Sequence, residues 1–181
     1  MGKVLMHICC GPCAVYPVRL LQKTNMDVTG YFYNPNIHPI GEYQRRKESA
    51  TKMAENESIA LICEDEIQQD IWERKEFGDR SQCEYCYSQR FEKVFAYAVA
   101  NNYNEVTTSL LVSPYQDHVL ICDIFTRLAH ETRIAFHYLD FRPYFRKGQQ
   151  LAKEMDLYRQ KYCGCILSLK ERGLSIEDER E

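Results

Sequence analysis

Seven of the nine cysteines fall into three short groups, Cys9/Cys10/Cys13, Cys83/Cys86 and Cys163/Cys165, set far apart along the chain. Thiolates are soft donors suited to iron–sulfur clusters and zinc, and their spacing alone does not choose between these metals. Cys83-x-x-Cys86 matches a chelating pair, and it equally matches a reversible redox pair or two buried thiols. One cluster needs four thiolates, so seven leave up to three for resolving chemistry, cluster protection or a neighbouring metal. Cys63 ends an apolar run and Cys122 sits among Val119, Leu120, Ile121 and Phe125, so both read as small buried hydrophobes outside the site. His7 reads either as a satisfied core histidine or as a donor behind a metal ligand. His38 lies in Asn34-Pro35-Asn36-Ile37-His38-Pro39, where prolines and asparagines favour a fixed turn open to functional use.

These groups need elements to bring them together. Lys3 to Ile8 reads as a buried strand broken by Cys-Cys-Gly-Pro-Cys, and Val28 to Tyr33 as a second strand stopped at Asn34-Pro35-Asn36. Helical spacing marks Ala14 to Lys23 and Glu42 to Asn56. Ile59 to Cys63 is a third strand, followed by an acidic segment. Phe91, Val94/Phe95 and Ala98/Val99 repeat at helical spacing, which places Cys83 and Cys86 at that helix's entrance. Glu105 to Val112 is a strand, Asp117 to Glu131 a helix, Ile134 to Leu139 a final strand and Gln149 to Tyr158 a last helix. The alternation implies a three-layer α/β domain with a mostly parallel sheet, and the first cysteine group falls at the end of the first strand, where such sheets place ligands.

With 181 residues, 45% of them hydrophobic, and only 8 Gly and 6 Pro, the chain fits one packed domain and not a disordered or fibrous one. A charged tail is expected over residues 177–181. The 23 basic and 26 acidic residues give a net charge of -3, which excludes a globally basic nucleic-acid binder and leaves room for a local basic face. No stretch has the pattern of a signal peptide or the length of a membrane span, so a cytoplasmic, reducing setting with available thiols is expected.

Taken in order, His7-x-Cys9-Cys10-Gly11-Pro12-Cys13, Tyr31-Phe32-Tyr33-Asn34-Pro35-Asn36-Ile37-His38-Pro39, Cys83-x-x-Cys86, Ser113-Pro114-Tyr115-Gln116-Asp117 and Tyr162-Cys163-Gly164-Cys165 resemble the cobalamin-independent epoxyqueuosine reductase family. Agreement runs from about residue 3 to about residue 170. The resemblance implies an adenine-nucleotide-hydrolase-like, Rossmann-like fold. The first loop carries cysteines in place of a Ser-Gly-Gly-x-Asp-Ser motif, so ATP use is poorly supported. It further implies reduction of the epoxide of epoxyqueuosine at the tRNA wobble position, with a [4Fe-4S] cluster, an adjacent iron and an external low-potential electron donor. The implied ligands are Cys10, Cys83, Cys86 and one of Cys163 or Cys165 for the cluster. Cys9, Cys13 and the remaining member of the last pair are left for the iron. His38, Tyr33 and Asp117 are the candidates for proton delivery.

Epoxyqueuosine-containing tRNA and an electron-donor protein are the expected partners. Arg142, Arg146, Lys147, Arg159 and Lys161, interleaved with Tyr144, Tyr158 and Tyr162, form a candidate RNA-binding series, and Arg45, Arg46 and Lys47 a second patch. The rival readings are another iron–sulfur or sulfur-transfer enzyme acting on RNA, and a zinc-stabilised RNA-binding module.

Overall fold

Alternation along the first strand sets the architecture. In β1 (Gly2–His7) and the residues just after it, Val4, Met6 and Ile8 enter one apolar cluster, while Leu5 and Cys9 enter another on the opposite face. A strand buried on both faces needs helices above and below it. The computed structural model, which describes residues 2–175, supplies them. The expected tail over 177–181 lies outside the described residues.

Five strands pair in the order β3-β2-β1-β4-β5, every neighbouring pair parallel. They are β1, β2 (Met26–Phe32), β3 (Ala60–Cys63), β4 (Glu105–Thr108) and β5 (Ala135–Phe136). One face is covered by α1 (Gly11–Lys23), α2 (Ile40–Asn56) and α6 (Phe145–Glu154), through Val15, Val18, Met53 and Ala152. The other face is covered by α4 (Gln82–Ala100) and α5 (His118–Thr132), through Phe91, Phe95, Ile121 and Phe125. Two short helices, α3 (Gln69–Arg74) and α7 (Ile166–Glu171), form a third cluster in which Trp72 is fully buried against Cys86, Tyr162 and Cys165. Among the described residues no helix is long and apolar enough to cross a membrane.

The α/β expectation holds, and the departures from it lie at element ends. The strand expected from Glu105 to Val112 stops at Thr108, and Ser109–Val112 turns into a 3-10 helix because the Thr108 hydroxyl accepts from the Leu110 N–H and curls the chain. The final strand is cut to two residues at the sheet edge, and the last predicted helix is shifted to Phe145–Glu154. The stretch read as an acidic segment contains α3, which is too short to show a period.

The chain leaves β1 toward β2 and β3 and returns to β4 on β1's other side. The crevice beyond the carboxyl ends of β1 and β4 is therefore the sheet's switch point, where this architecture places ligand sites. Gly11, which opens α1, holds α1 close to α2: a Cβ there would lie 2.5 Å from the Ser49 backbone oxygen. Backbone cannot retreat as a side chain can, so Gly11→Ala should lower the stability by roughly 1–3 kcal/mol. The check is the midpoint of urea unfolding; an unchanged midpoint would show that α1 and α2 separate freely.

Candidate metal centre

Cys9 and Cys10 leave the end of β1, and Cys13 stands in the first turn of α1 with Pro12 starting that helix. This strand-to-helix reversal points all three side chains at one spot. Their sulfurs lie within 4.8 Å of one another, and all three residues are buried. The Cys9 and Cys10 sulfurs are 3.7 Å apart. The early end of β4 supplies Ser109, whose hydroxyl donates to the Cys9 sulfur at 3.4 Å and accepts from the Cys9 N–H at 3.1 Å.

Hydrogen bonds from Cys10 and then Cys13 hold the Cys9 thiol well below its usual range against the cost of burial. Cys10 accepts from Cys13, but the Cys9 sulfur and burial push it up, and Cys13 is pushed up by its bonds to Cys10 and Cys9. Cys9 is thus the readiest of the three to ionise, while Cys10 and Cys13 hold their thiol protons more tightly. A soft metal ion fits this donor set, since it replaces those protons and binds three sulfurs.

The other cysteines reach the same crevice from elsewhere. Cys83 lies in the first turn of α4 and Cys86 just beyond it, in a helix that Ser81 caps by accepting from the Glu84 N–H. Cys163 and Cys165 flank Gly164, which adopts a φ of +142° that side-chain-bearing residues rarely take. Cys9, Cys13, Cys83, Cys86, Cys163 and Cys165 all line one cavity of about 610 Å³.

They do not converge, and this corrects the cofactor expectation. A [4Fe-4S] cluster needs four thiolates around one centre, whereas the group seen among the described residues is the three-cysteine set, with one ligand atom each, suited to a single ion. Cys10, assigned to a cluster, and Cys9 and Cys13, assigned to a neighbouring iron, belong to one site. The separation has a physical reason, since three of the remaining sulfurs take nitrogen donors of their own. Arg90 Nη2 lies 3.1 Å from Cys86 Sγ, Gln82 Nε2 2.9 Å from Cys165 Sγ and Gln116 Nε2 3.4 Å from Cys163 Sγ.

The family described as epoxyqueuosine reductase QueH matches residues 4–171. An epoxyqueuosine reductase QueH of Dehalococcoides mccartyi is 35% identical over 172 residues, covering 94% of each chain. This chain belongs to the QueH family. One relative from Thermotoga maritima is 33% identical, over 95% of this chain and 93% of its own. Another from Histophilus somni is 34% identical, over 94% and 73%. By family the chain is an oxidoreductase. A solved structure from Methanocaldococcus jannaschii, described as a predicted subunit of tRNA methyltransferase, aligns with a TM-score of 0.59 at 15% identity, over 98% of this chain and 91% of that one. A teicoplanin deacetylase aligns at 0.52 and 10% identity, over 84% of this chain and 86% of that one. Both likenesses concern the fold alone.

Within this QueH chain the three proton-delivery candidates occupy different places. Asp117 lines the cavity and caps α5, its carboxylate accepting from the Leu120 N–H at 3.0 Å. Tyr33 is buried and donates to Glu66 at 2.7 Å. His38 is fully buried, with Nε2 3.1 Å from the Pro35 carbonyl and Nδ1 3.1 Å from the Ile166 N–H. Those partners require a neutral ring with its proton on Nε2. His7 is held in the same way by the Thr108 hydroxyl and the Tyr33 carbonyl.

The basic series divides. Arg159 and Lys161 are exposed and line the cavity, and Arg146 and Lys147 are exposed beside it. Arg142 pairs with Asp140 at 2.7 Å, Tyr144 stacks on Tyr16, and Tyr158 donates to Glu42 at 2.5 Å. Tyr162, expected among the RNA-facing rings, is buried and donates to the His38 carbonyl. Arg46, expected on a surface patch, is 2% exposed, because it pairs with Glu42 at 2.6 Å and donates to the Tyr162 and Cys163 carbonyls at 2.8 Å each. Cys63, read as buried, is exposed at the end of edge strand β3, and Cys122 is half-buried on α5. Sequence reasoning missed Arg90, though its i+4 spacing from Cys86 on a helix was a usable signal. No local pattern marked Ser109 or Gln82, and Gln116 lay within the Ser113-Pro114-Tyr115-Gln116-Asp117 motif with no role given to it.

Two outcomes follow from this geometry. A lysine has one ammonium and cannot reach Glu42 and both loop carbonyls at once, so Arg46→Lys should speed amide exchange across residues 162–165 by tenfold or more; exchange at the wild-type rate would show that the loop holds itself. Burial lowers the His38 pKa from 6.5 to about 4. Its neutral form is favoured only in the folded state, so its contribution is intact above pH 6.5 and falls by about 1.4 kcal/mol per pH unit as pH drops toward 4. Urea unfolding at pH 7, 6 and 5 should show that slope in the wild type on top of the one from His7, whose pKa burial lowers to about 3, and His38→Gln should remove about 1.4 kcal/mol per pH unit of the total while the His7 share stays.

Proposed function

We propose that this chain reduces the epoxide of epoxyqueuosine in tRNA to the alkene of queuosine, and that the cavity beyond β1 and β4 receives the modified nucleotide. The observation that carries this reading is the buried Cys9/Cys10/Cys13 group, set at the switch point in a cavity of about 610 Å³, which suits a nucleoside side chain. Membership of the QueH family, whose relatives bear that activity in their names, supports it.

The reaction cleaves both carbon–oxygen bonds of the epoxide, forms a carbon–carbon double bond, and takes up two electrons and two protons to release water. The electrons come from an electron-donor protein. Cys9, Cys10 and Cys13 would hold one metal ion, which when bound supplies Lewis-acid stabilisation for a poor oxygen leaving group. The chain's own groups do the rest. Ser109 keeps Cys9 aimed into the site, and Arg90 supplies fixed positive charge along the wall. Of the three proton candidates, Asp117 lines the cavity and relays protons toward the departing oxygen, while His38 and Tyr33 act through the elements they hold. Exposed Arg159 and Lys161 meet backbone phosphates, and Tyr115, 79% exposed on the cavity rim, offers a ring to an unstacked base. A reducing cytoplasm keeps the thiols available.

The test is an anaerobic single-turnover assay on the metal-loaded chain with epoxyqueuosine-containing tRNA and a chemical reductant, read by nucleoside mass analysis. Queuosine should appear with loss of one oxygen. Cys9→Ser should lower the rate by at least a hundredfold and reduce the bound metal from about one equivalent. No conversion by a chain that binds both metal and tRNA would assign it another RNA modification.

A further inference from the structure

Two buried amide oxygens in the cavity wall have no partner. Asn34 is fully buried and Asn36 is 2% exposed, both line the cavity, and neither Oδ1 receives a hydrogen bond. An orphaned buried acceptor costs about 1–3 kcal/mol, so two in one wall call for a ligand that donates to them. The Asn34 amide cannot be turned to relieve the defect. Its Nδ2 donates to the Ile8 carbonyl at 2.9 Å, and a flip would set oxygen against oxygen. That bond also ties Asn34 to the residue preceding Cys9. Asn36 stands at the other chain segment, beside Gly164: a Cβ on that glycine would lie 3.5 Å from Asn36 Nδ2. Fully buried Trp72 belongs to the same cavity wall and its indole N–H is likewise unpaired, a donor to match the two acceptors.

We propose that Asn34 and Asn36 form a hydroxyl-reading subsite, their Oδ1 atoms accepting from the two cyclopentane hydroxyls next to the epoxide. The inference rests on the substrate reading above. A vicinal diol matches the wall's chemistry, because each hydroxyl donates one proton to an amide oxygen and keeps lone pairs for a donor such as Trp72 Nε1–H. An ammonium would bring charge beside the buried Arg46 and Arg90 cations, so neutral hydroxyls suit the wall better. Such a subsite disfavours nucleosides lacking the diol, since they leave both acceptors unpaired. It also places the ring by its unreactive edge, with the epoxide toward the cysteines.

Calorimetry tests this with the full chain, queuosine nucleoside, and the analogue whose cyclopentene carries no hydroxyls. The wild type should prefer the diol by about tenfold or more, a hydrogen bond or two in affinity. Asn36→Ala should reduce the preference to about threefold or less, and Asn36→Asp, which keeps an acceptor oxygen in place, should retain more of it than Asn36→Ala. Equal affinities in the wild type overturn the subsite without reference to any variant's folding, as does a full preference in folded Asn36→Ala. Turnover of epoxyqueuosine-containing tRNA by the same wild-type sample separates the two claims. Turnover without a diol preference removes the asparagine assignment alone, whereas neither turnover nor nucleoside binding removes the substrate reading and the subsite with it.

Discussion

Arg46 sits at 2% exposure, and a guanidinium so placed persists only when its N–H groups find acceptors and its charge finds an anion. Glu42, one helical turn earlier, supplies the charge, and the Tyr162 and Cys163 carbonyls supply two further acceptors. The planar fork thereby joins α2 to a segment more than a hundred residues away that has little regular structure. Gly164 takes its positive φ beside the same guanidinium, since a Cβ there would come within 3.1 Å of Nη1. The Tyr162 hydroxyl and the His38 ring then fasten the other side of the loop to the turn after β2. Cys163 and Cys165 can stand in the cavity wall because this chain of polar contacts leaves their backbone nowhere else to go.

The three cysteine groups are placed by different means, and this is why they differ chemically. Cys9, Cys10 and Cys13 are close in sequence and are turned toward one another by the strand-to-helix reversal, so they share protons. Cys83 and Cys86 ride on α4, whose position is decided by Phe91, Phe95 and Phe125 in the core and not by sulfur. The Cys163–Cys165 loop is held from behind by Arg46. Separate anchoring lets each of these walls offer its sulfurs to amide or guanidinium donors, and the cavity between them stays open.

The sheet was legible in the sequence because its strands are rich in apolar and β-branched residues, and the cysteine groups were legible because they fall at strand and helix ends. Elements shorter than two helical turns left no period, so α3 and α7 did not show, and with them went the Trp72 cluster that closes the cavity. Arg46 reads as one of three consecutive basic residues, and only the tertiary fold reveals that it is buried on Glu42 while Arg45, which shares Glu42, and Lys47, which pairs with Asp65, stay part-exposed. His38 and Tyr162 carry the same lesson. Polar residues in a loop suggest access to solvent, yet here they satisfy backbone groups of a second loop distant in sequence. The convergence of thiolates was beyond sequence reasoning, since it depends on angstrom-scale separations that spacing does not encode.

Arg90 shows how the wall and the cysteines share one electrostatic balance. It is buried, its N–H groups meet the carbonyl and sulfur of Cys86, and its plane lies over Tyr87. Those partners carry no full charge while the thiol is protonated. Burial alone disfavours the cation, yet the sulfurs of Cys86, Cys163 and Cys9 and the Tyr87 hydroxyl around it favour keeping its proton. The same charge, together with burial, keeps His7 neutral down to a pKa of about 3, so the imidazole beneath Cys9 brings no second cation. A cavity with the buried Arg90 guanidinium in its wall is favourable to negative charge, and Cys9 is the thiol best prepared to carry it. Arg90 thus favours the ionised form that a metal ion requires at Cys83 and Cys86, against the burial that pushes both thiols up, without touching the sulfur of Cys9 itself.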